Sequence, residues 1–503
     1  MSESLQPIGH HINGQNVLEG NVLDRHNPAD YDDVVAQFHD GTPAIMDAAV
    51  DSANRAFEKW ADTTPSVRGD VLFEAAELLR TPEWRARFVA AMVREIGKTT
   101  AGANGEVTKT FNILRYIGGL PKHSRGEVYN ADQPKVHMYS GSEPVGVAGL
   151  VGPFNFPLAV AVWKAAAALA AGCTVVLKPS PHAPMTSALI AELFEKAGIG
   201  PGVINVVHGG PEVVSALVRN KLVQAISFTG STKVGNDIVL QAITRTPKID
   251  TQNIVCEMGG DNAILVLADA DLKMAASAAV TSSCIGEGQR CTATKRILVD
   301  EDVAKEFLEL YLEEVRGLQI GPGADPKNDV GPLVTPAALD DVMHAVEESV
   351  ANGMHPLIGG QRLTDGSFER GNFMAPTLLK GDPRNAGHRA LREEIFGPVA
   401  GFAEIHGFEE GLAAVNDNDH RHVAGIFTRD LLLAHEFLRR AKAGMRHVNN
   451  STLGGDVQAP FGGMGGATSF GIQEMGPRAM EPFLRHYTAG LNYGDKVLGG
   501  RAR

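Results

Sequence analysis

The residues with the most evident chemistry lie in the run 256–297, CEMGGDNAILVLADADLKMAASAAVTSSCIGEGQRCTATKRI, which holds an acid, Glu257, a thiol, Cys291, and several glycines suited to close packing. Thirty-four residues separate the two, too many for one helical turn. An expected strand at 263–267 and helix at 271–282 would fold back and bring the pair together, a nucleophile facing a possible general base. Cys291 is flanked by Gly288, Gln289 and Arg290, where the chain can bend and nearby positive charge would favour thiolate over thiol.

The elements that must position this pair show in the periodicity. Residues 1–40 are expected to form short strands and turns. Helices then follow in series, the first over 44–62 with apolar Ile45, Ala49, Ala53, Phe57 and Trp60 on one face, and Pro65 and Pro82 punctuating two more. The polar, β-prone segment 126–144 suggests a projecting hairpin. Beyond it strands and helices alternate: strands at 145–151, 174–178, 203–207 and 225–228, and helices starting at Leu158, Pro184 and Ser231. Repeated βα units imply a parallel sheet, whose strands present ligand-binding loops at their carboxyl ends. Three loops at that edge, PFNFP, KPSPHAP and FTGSTKVG, are rich in glycine or proline, and a dinucleotide site is the natural reading. Gly230 and Gly235 would let backbone and a helix N-terminus approach a pyrophosphate, although their spacing is not the GxGxxG fingerprint.

Composition sets bounds. At about 150 residues per domain, 503 residues make roughly three domain-sized units. A net charge of −13 without a dense Lys/Arg tract argues against nucleic acid. The four cysteines show no CxxC spacing, so neither a disulfide framework nor a metal site is indicated and a reducing compartment fits. The start, MSESLQPIGHHING, lacks a basic-then-apolar signal pattern, and no apolar run reaches about 18 residues, so the expectation is a cytoplasmic protein without a membrane partner.

Five motifs taken together, PFNFPL (153–158), FTGSTKVG (228–235), EMGG with the acid-to-thiol spacing, EEIFGPV (393–399) and PFGGMG (460–465), resemble the NAD(P)-dependent aldehyde dehydrogenase superfamily over nearly the whole chain. The resemblance implies an α/β protein with a Rossmann-like cofactor domain (1–125 and 145–258), a second α/β catalytic domain (259–455) and a small β element for oligomerisation (126–144 and 456–503). The hairpin would join a terminal strand at 481–493 in a homodimer or homotetramer. It further implies a small-molecule aldehyde oxidised to the acid through a thioester on Cys291, with Asn155 as oxyanion donor and Glu257 activating the deacylating water. Glu257 argues against transfer to coenzyme A, whose acylating branch typically lacks this acid.

For NAD or NADP, the resemblance places Lys178 at the adenosine ribose, Gly230, Ser231 and Gly235 at the pyrophosphate and Gly210 in a glycine turn. Glu394 and Phe396 would hold the second ribose and the nicotinamide, and Val151, Pro153, Phe154 and Phe228 the rest of the wall. Phe156, Val160, Trp163, Ile285 and Phe461 match the substrate tunnel, an apolar and aromatic set that suits an aliphatic or aromatic aldehyde. Arg290, in GQRCTATKR, resembles instead the semialdehyde dehydrogenases, such as those acting on α-ketoglutarate semialdehyde, where an arginine would hold a distal carboxylate. Three positions depart from the family pattern. Pro181 stands where NAD-preferring members carry Glu, Asp261 replaces a common lysine, and GGATSFGIQEMG replaces the usual C-terminal motif.

Overall fold

The computed structural model describes residues 6–123 and 126–494; the outer ends of the expected first and last domains lie outside them. Runs such as VAGLV (Val147–Val151) and TVVLK (Thr174–Lys178) are apolar without alternation, as strands covered on both faces must be, and every residue in both is buried. They lie at the centre of an eight-stranded sheet whose five parallel strands run in the order Ile254–Glu257, Val223–Thr229, Val147–Val151, Thr174–Lys178, Ile204–Val206. The chain winds outward in one direction from Val147–Val151 and then returns to its other side at Val223–Thr229. That reversal opens a crevice at the carboxyl ends of these two adjacent strands.

Helices cover both faces. Ala159–Ala171 (AVAVWKAAAALAA) is buried all round because it lies between the sheet and the helices Pro65–Arg80 and Thr100–Gly119. Thr42, Thr64, Thr81 and Thr99 each cap the helix that follows with a side-chain oxygen, and Pro occupies the first turn of the first three. The expected helix at 44–62 is Pro43–Ala61, and the strand at 225–228 is longer, Val223–Thr229.

A second, seven-stranded sheet has Asn262–Val266 and Thr294–Asp300 adjacent and parallel near its centre, with helix Leu272–Cys284 between them in sequence. This is the fold-back expected between the acid and the thiol. The hairpin segment pairs Val128–Tyr129 with Val136–Pro144, and the latter runs antiparallel to the terminal strand Leu484–Asn492 of the same chain. Ser469–Phe470 leaves this small sheet alone and pairs with Cys256–Glu257 at the edge of the first sheet, so the C-terminal segment closes over the acid.

Candidate active site

A cleft of about 1340 Å³ lies between the two large sheets, at the crevice the strand order creates. Every expected catalytic, cofactor and substrate residue lines it except Gly235. Gly235 sits one turn into helix Thr232–Thr244, where a Cβ would collide with Met258 and crowd Phe228. Its glycine permits close helix-against-strand packing, and of the expected site residues it is the one set back from the cleft wall.

Cys291 follows a loop in which Glu287, Gly286 and Gly288 all have positive φ. Two features pin that loop. A Cβ on Gly260 would collide with the Cys291 carbonyl, and Asn262 Nδ2 donates to the carbonyls of Cys291 and Ala293, each at 2.8 Å. Arg290 draws the thiol toward ionisation as the sequence suggested, but it is outweighed. Burial, followed by the charges of Glu394 and Glu257, pushes Cys291 up to about 12, which favours the thiol form.

Asn155 lies in the loop after Val147–Val151. Its Nδ2 donates to the Gln289 carbonyl at 2.9 Å, which uses one of the two amide hydrogens and aims the group at the cysteine loop. Its own carbonyl accepts from Lys98 Nζ at 2.8 Å. Lys98 in turn is ion-paired with buried Glu106, whose other oxygen accepts the Leu158 and Ala159 N–H groups at 2.9 Å at the start of helix Ala159–Ala171. A carboxylate from one helix thus caps another, an anion at the positive end of a helix dipole. Glu106 escaped sequence reasoning, yet it left a signal, a charge on the same helix face as Ala103, Val107, Ile113 and Leu114, all buried.

The same signal marks Lys164, the lone charge of a thirteen-residue apolar helix. Its Nζ donates to Glu474 at 2.6 Å and to Ser227 at 2.8 Å, and Trp163 Nε1 donates to the second Glu474 oxygen at 2.9 Å. Glu474 belongs to the divergent GIQEMG segment and faces the strand pair beside Glu257. Glu257 is raised well above the carboxylate range by burial and then by Glu474, with Lys164 opposing. The backbone N–H of Gly463 points toward it without closing a hydrogen bond of normal geometry.

At the far end of the cleft the surfaces are largely backbone. Gly210 and Ser231 are the N-cap residues of helices Pro211–Arg219 and Thr232–Thr244, and both line the crevice. Lys178 ends its strand there, brought down to about 8 by burial against the pull of Asp40 and Glu212. Glu394 accepts the Gly260 N–H at 2.9 Å and is raised to about 7 by burial. Phe396 stands edge-on to Phe154 at 5.9 Å between ring centroids. Asp261, where a lysine was expected, pairs with buried Arg296 at 3.1 Å and lies outside the lining of the cleft.

The aldehyde dehydrogenase family model matches residues 17–488, essentially the whole described chain. The chain belongs to the aldehyde dehydrogenase family. The enzyme is therefore an oxidoreductase acting on aldehydes. It is 36% identical over 465 residues to 2,5-dioxopentanoate dehydrogenase of Saccharolobus solfataricus, covering 92% of this chain and 94% of that one. It is 35% identical to alpha-ketoglutaric semialdehyde dehydrogenase of Bacillus subtilis, covering 94% and 95%. Among solved structures, betaine aldehyde dehydrogenase of Staphylococcus aureus in complex with NAD+ superposes with a TM-score of 0.92 at 27% identity, over 99% and 98% of the two chains. An E. coli NADP dependent enzyme superposes at 0.90 with 30% identity, over 97% and 98%. Among the described residues no helix of this family member is long and apolar enough to cross a membrane.

Proposed function

We propose that the enzyme oxidises an aldehyde bearing a distal carboxylate, of the α-ketoglutarate semialdehyde type, to the dicarboxylic acid. The observation that carries this reading is Arg290. Its guanidinium is largely buried beside Cys291, 5.5 Å from the Phe156 ring centroid, and makes no hydrogen bond or ion pair among the described residues. A cation so enclosed is stabilised by an anion, and an arginine fork matches a carboxylate. Lys109, whose ammonium rests on the Gly455 carbonyl near Asp456, lines the same cleft and adds positive charge. The names of the two relatives at 36% and 35% identity point the same way.

Cys291, having released its proton to solvent, adds to the carbonyl as thiolate, and the free amide hydrogen of Asn155 with the Cys291 N–H stabilises the oxyanion. The cradle fits a nicotinamide dinucleotide. Two helix N-termini line the crevice, and at Gly230 a Cβ would collide with Phe228 while the N–H is held by the Glu257 carbonyl at 3.1 Å. Gly210 and Ser231 would hold the pyrophosphate, Lys178 and Glu394 the riboses, and NAD(P) when bound supplies the two-electron acceptor. Glu257 then takes a proton from the water that attacks the acyl-cysteine, releasing the acid. The exposed apolar residues Val128, Tyr139, Tyr487 and Leu491 on the small sheet support a homodimer or homotetramer, and four free cysteines support a cytoplasmic setting.

A second reading, an uncharged aliphatic or aromatic aldehyde, is favoured by the apolar wall of Val160, Trp163, Ile285 and Phe461. Formation of reduced cofactor with matched charged and uncharged aldehydes separates the two. Arg290→Leu should raise KM for the carboxylated aldehyde by roughly 10- to 100-fold, the scale of a charged hydrogen bond, and leave butanal or benzaldehyde nearly unchanged. Equal effects on both substrates would return the function to the uncharged reading. Analysis of the product as free acid, with and without coenzyme A present, checks the hydrolytic outcome.

A further inference from the structure

His422, immediately before strand Val423–Phe427, stands against Glu257 in the interior. Its Nδ1 is 3.9 Å from Glu257 Oε2, both side chains are buried, and its ring meets that of Phe461 edge-on at 5.3 Å between centroids. Neither ring nitrogen and neither carboxylate oxygen completes a hydrogen bond among the described residues. Buried polar atoms are normally paired, so four orphans in one place need a reason. The cavity they share is shaped for the carboxyl group. Gly462, at φ +142°, carries its hydrogen where a Cβ would collide with Glu257 Oε1.

We infer that His422 is a positioning residue for Glu257, its imidazole holding the carboxyl group in this niche in both protonation states. Neutral imidazole suits that task because a single Nδ1–H can donate to a carboxyl oxygen whether the group is ionised or neutral. With Nδ1–H it donates to the carboxylate that is ready to accept a proton from water and, unchanged, to the carbonyl oxygen of the carboxylic acid that results. A small rotation of either side chain turns 3.9 Å into bonding distance. The proton moves only between water and Glu257, and the imidazole stays neutral throughout. Burial favours that neutrality, lowering His422 to about 4 with a further contribution from His420. The other charged groups facing the pair are Lys164, from helix Ala159–Ala171, and Glu474, from the C-terminal segment.

The inference rests on Glu257 as the deacylation base, and the test separates the two. Acyl-enzyme decay is followed against pH by rapid quench and mass spectrometry in wild type, Glu257→Gln, His422→Leu, His422→Asn and His422→Gln. Glu257→Gln should accumulate acyl-Cys291; failure to do so removes the base and this inference with it. With that accumulation seen, His422→Leu should slow decay about tenfold or more and move its rising limb upward by about one pH unit, since the carboxylate loses the imidazole N–H and keeps only the poorly aligned Gly463 backbone N–H. Asn places an amide near Nδ1 and should restore both rate and limb, whereas Gln reaches toward Nε2 and should not. A limb in His422→Leu that overlays wild type, or equal behaviour of Asn and Gln, would overturn the role of His422 and leave that of Glu257 standing.

Discussion

The two ends of the cleft are built from different materials. At the Cys291 end the groups that matter are buried side chains, each held by another: Asn155 by Gln289 and Lys98, Lys98 by Glu106, Glu474 by Lys164 and Trp163. At the Lys178 end the surface is helix N-termini, Gly210, Ser231 and a strand terminus, most of it backbone. Buried charges act in a low effective dielectric, where removing one partner strands the other. Backbone donors cannot be mutated away and act through shape. Substitutions at the first end should therefore damage chemistry or folding, and at the second end they should tune affinity and choice.

The sharpest break of that contrast is at the thiol. Cys291→Ala should lower dehydrogenase turnover by more than about 10³-fold while leaving the melting temperature and cofactor binding near wild type. A pKa of about 12 adds a second readout. Below that pKa the thiolate fraction climbs with pH, so alkylation of Cys291 by iodoacetamide should rise about tenfold per pH unit between roughly pH 7 and 9, without the plateau of an ordinary thiol near 8.5. A plateau in that window would show that Arg290 outweighs burial after all.

Next in size is Glu106→Ala, expected to cost about 3–5 kcal/mol in urea unfolding because Lys98 is left buried and unpaired and a helix start loses its cap. A loss below about 1 kcal/mol would mean the pair is as expendable as a surface one.

At the other end, Pro181→Glu should shift the ratio of kcat/KM for NAD over NADP toward NAD by about 1–3 kcal/mol, since a carboxylate there both accepts from ribose hydroxyls and repels a 2′-phosphate. Glu212 complicates this end. Its carboxylate folds back toward Gly210 and lines the same wall as Pro181 and Lys178. A wild type that already excludes NADP, with no change on Pro181→Glu, would assign discrimination to Glu212, and Glu212→Gln would then relax it.

The smallest effect belongs to Ser231→Ala, which removes a side-chain cap from helix Thr232–Thr244. About 1 kcal/mol of stability should go, with a modest rise in cofactor Kd by fluorescence titration, because the backbone N–H groups remain.

The same contrast decides what the sequence shows. Backbone-built parts announce themselves, since Thr-Pro helix starts, glycine loops and unbroken apolar strands are local, and the order of parallel strands follows from βα alternation. Cys291, Glu257 and Asn155 are legible only jointly, by motif. What stayed hidden is the partner of each buried charge. Lys98, between two helices, and Glu106, on the second of them, look like ordinary surface charges until Asn155 is folded onto them, and Asp261 reads as a missing lysine until Arg296 is beside it. Gly235 shows the other side of this, a glycine near a helix start whose close packing against Met258 and Phe228 no local pattern announces. His422 gave no local sign, because its neighbour Glu257 lies on another sheet.

The pairing of Ser469–Phe470 with Cys256–Glu257 has a consequence for biosynthesis. The strand carrying the acid is finished about halfway along the sequence, but its edge partner and the Glu474 carboxylate emerge only after the entire second sheet has been made. A nascent chain stalled before residue 469 therefore exposes an open strand edge and a buried lysine without its counter-ion, both invitations to aggregation. Competence arrives with the segment 469–474, so ribosome-bound intermediates of this enzyme should hold chaperones until that segment emerges, and truncation before residue 469 should be punished in solubility before it is seen in activity.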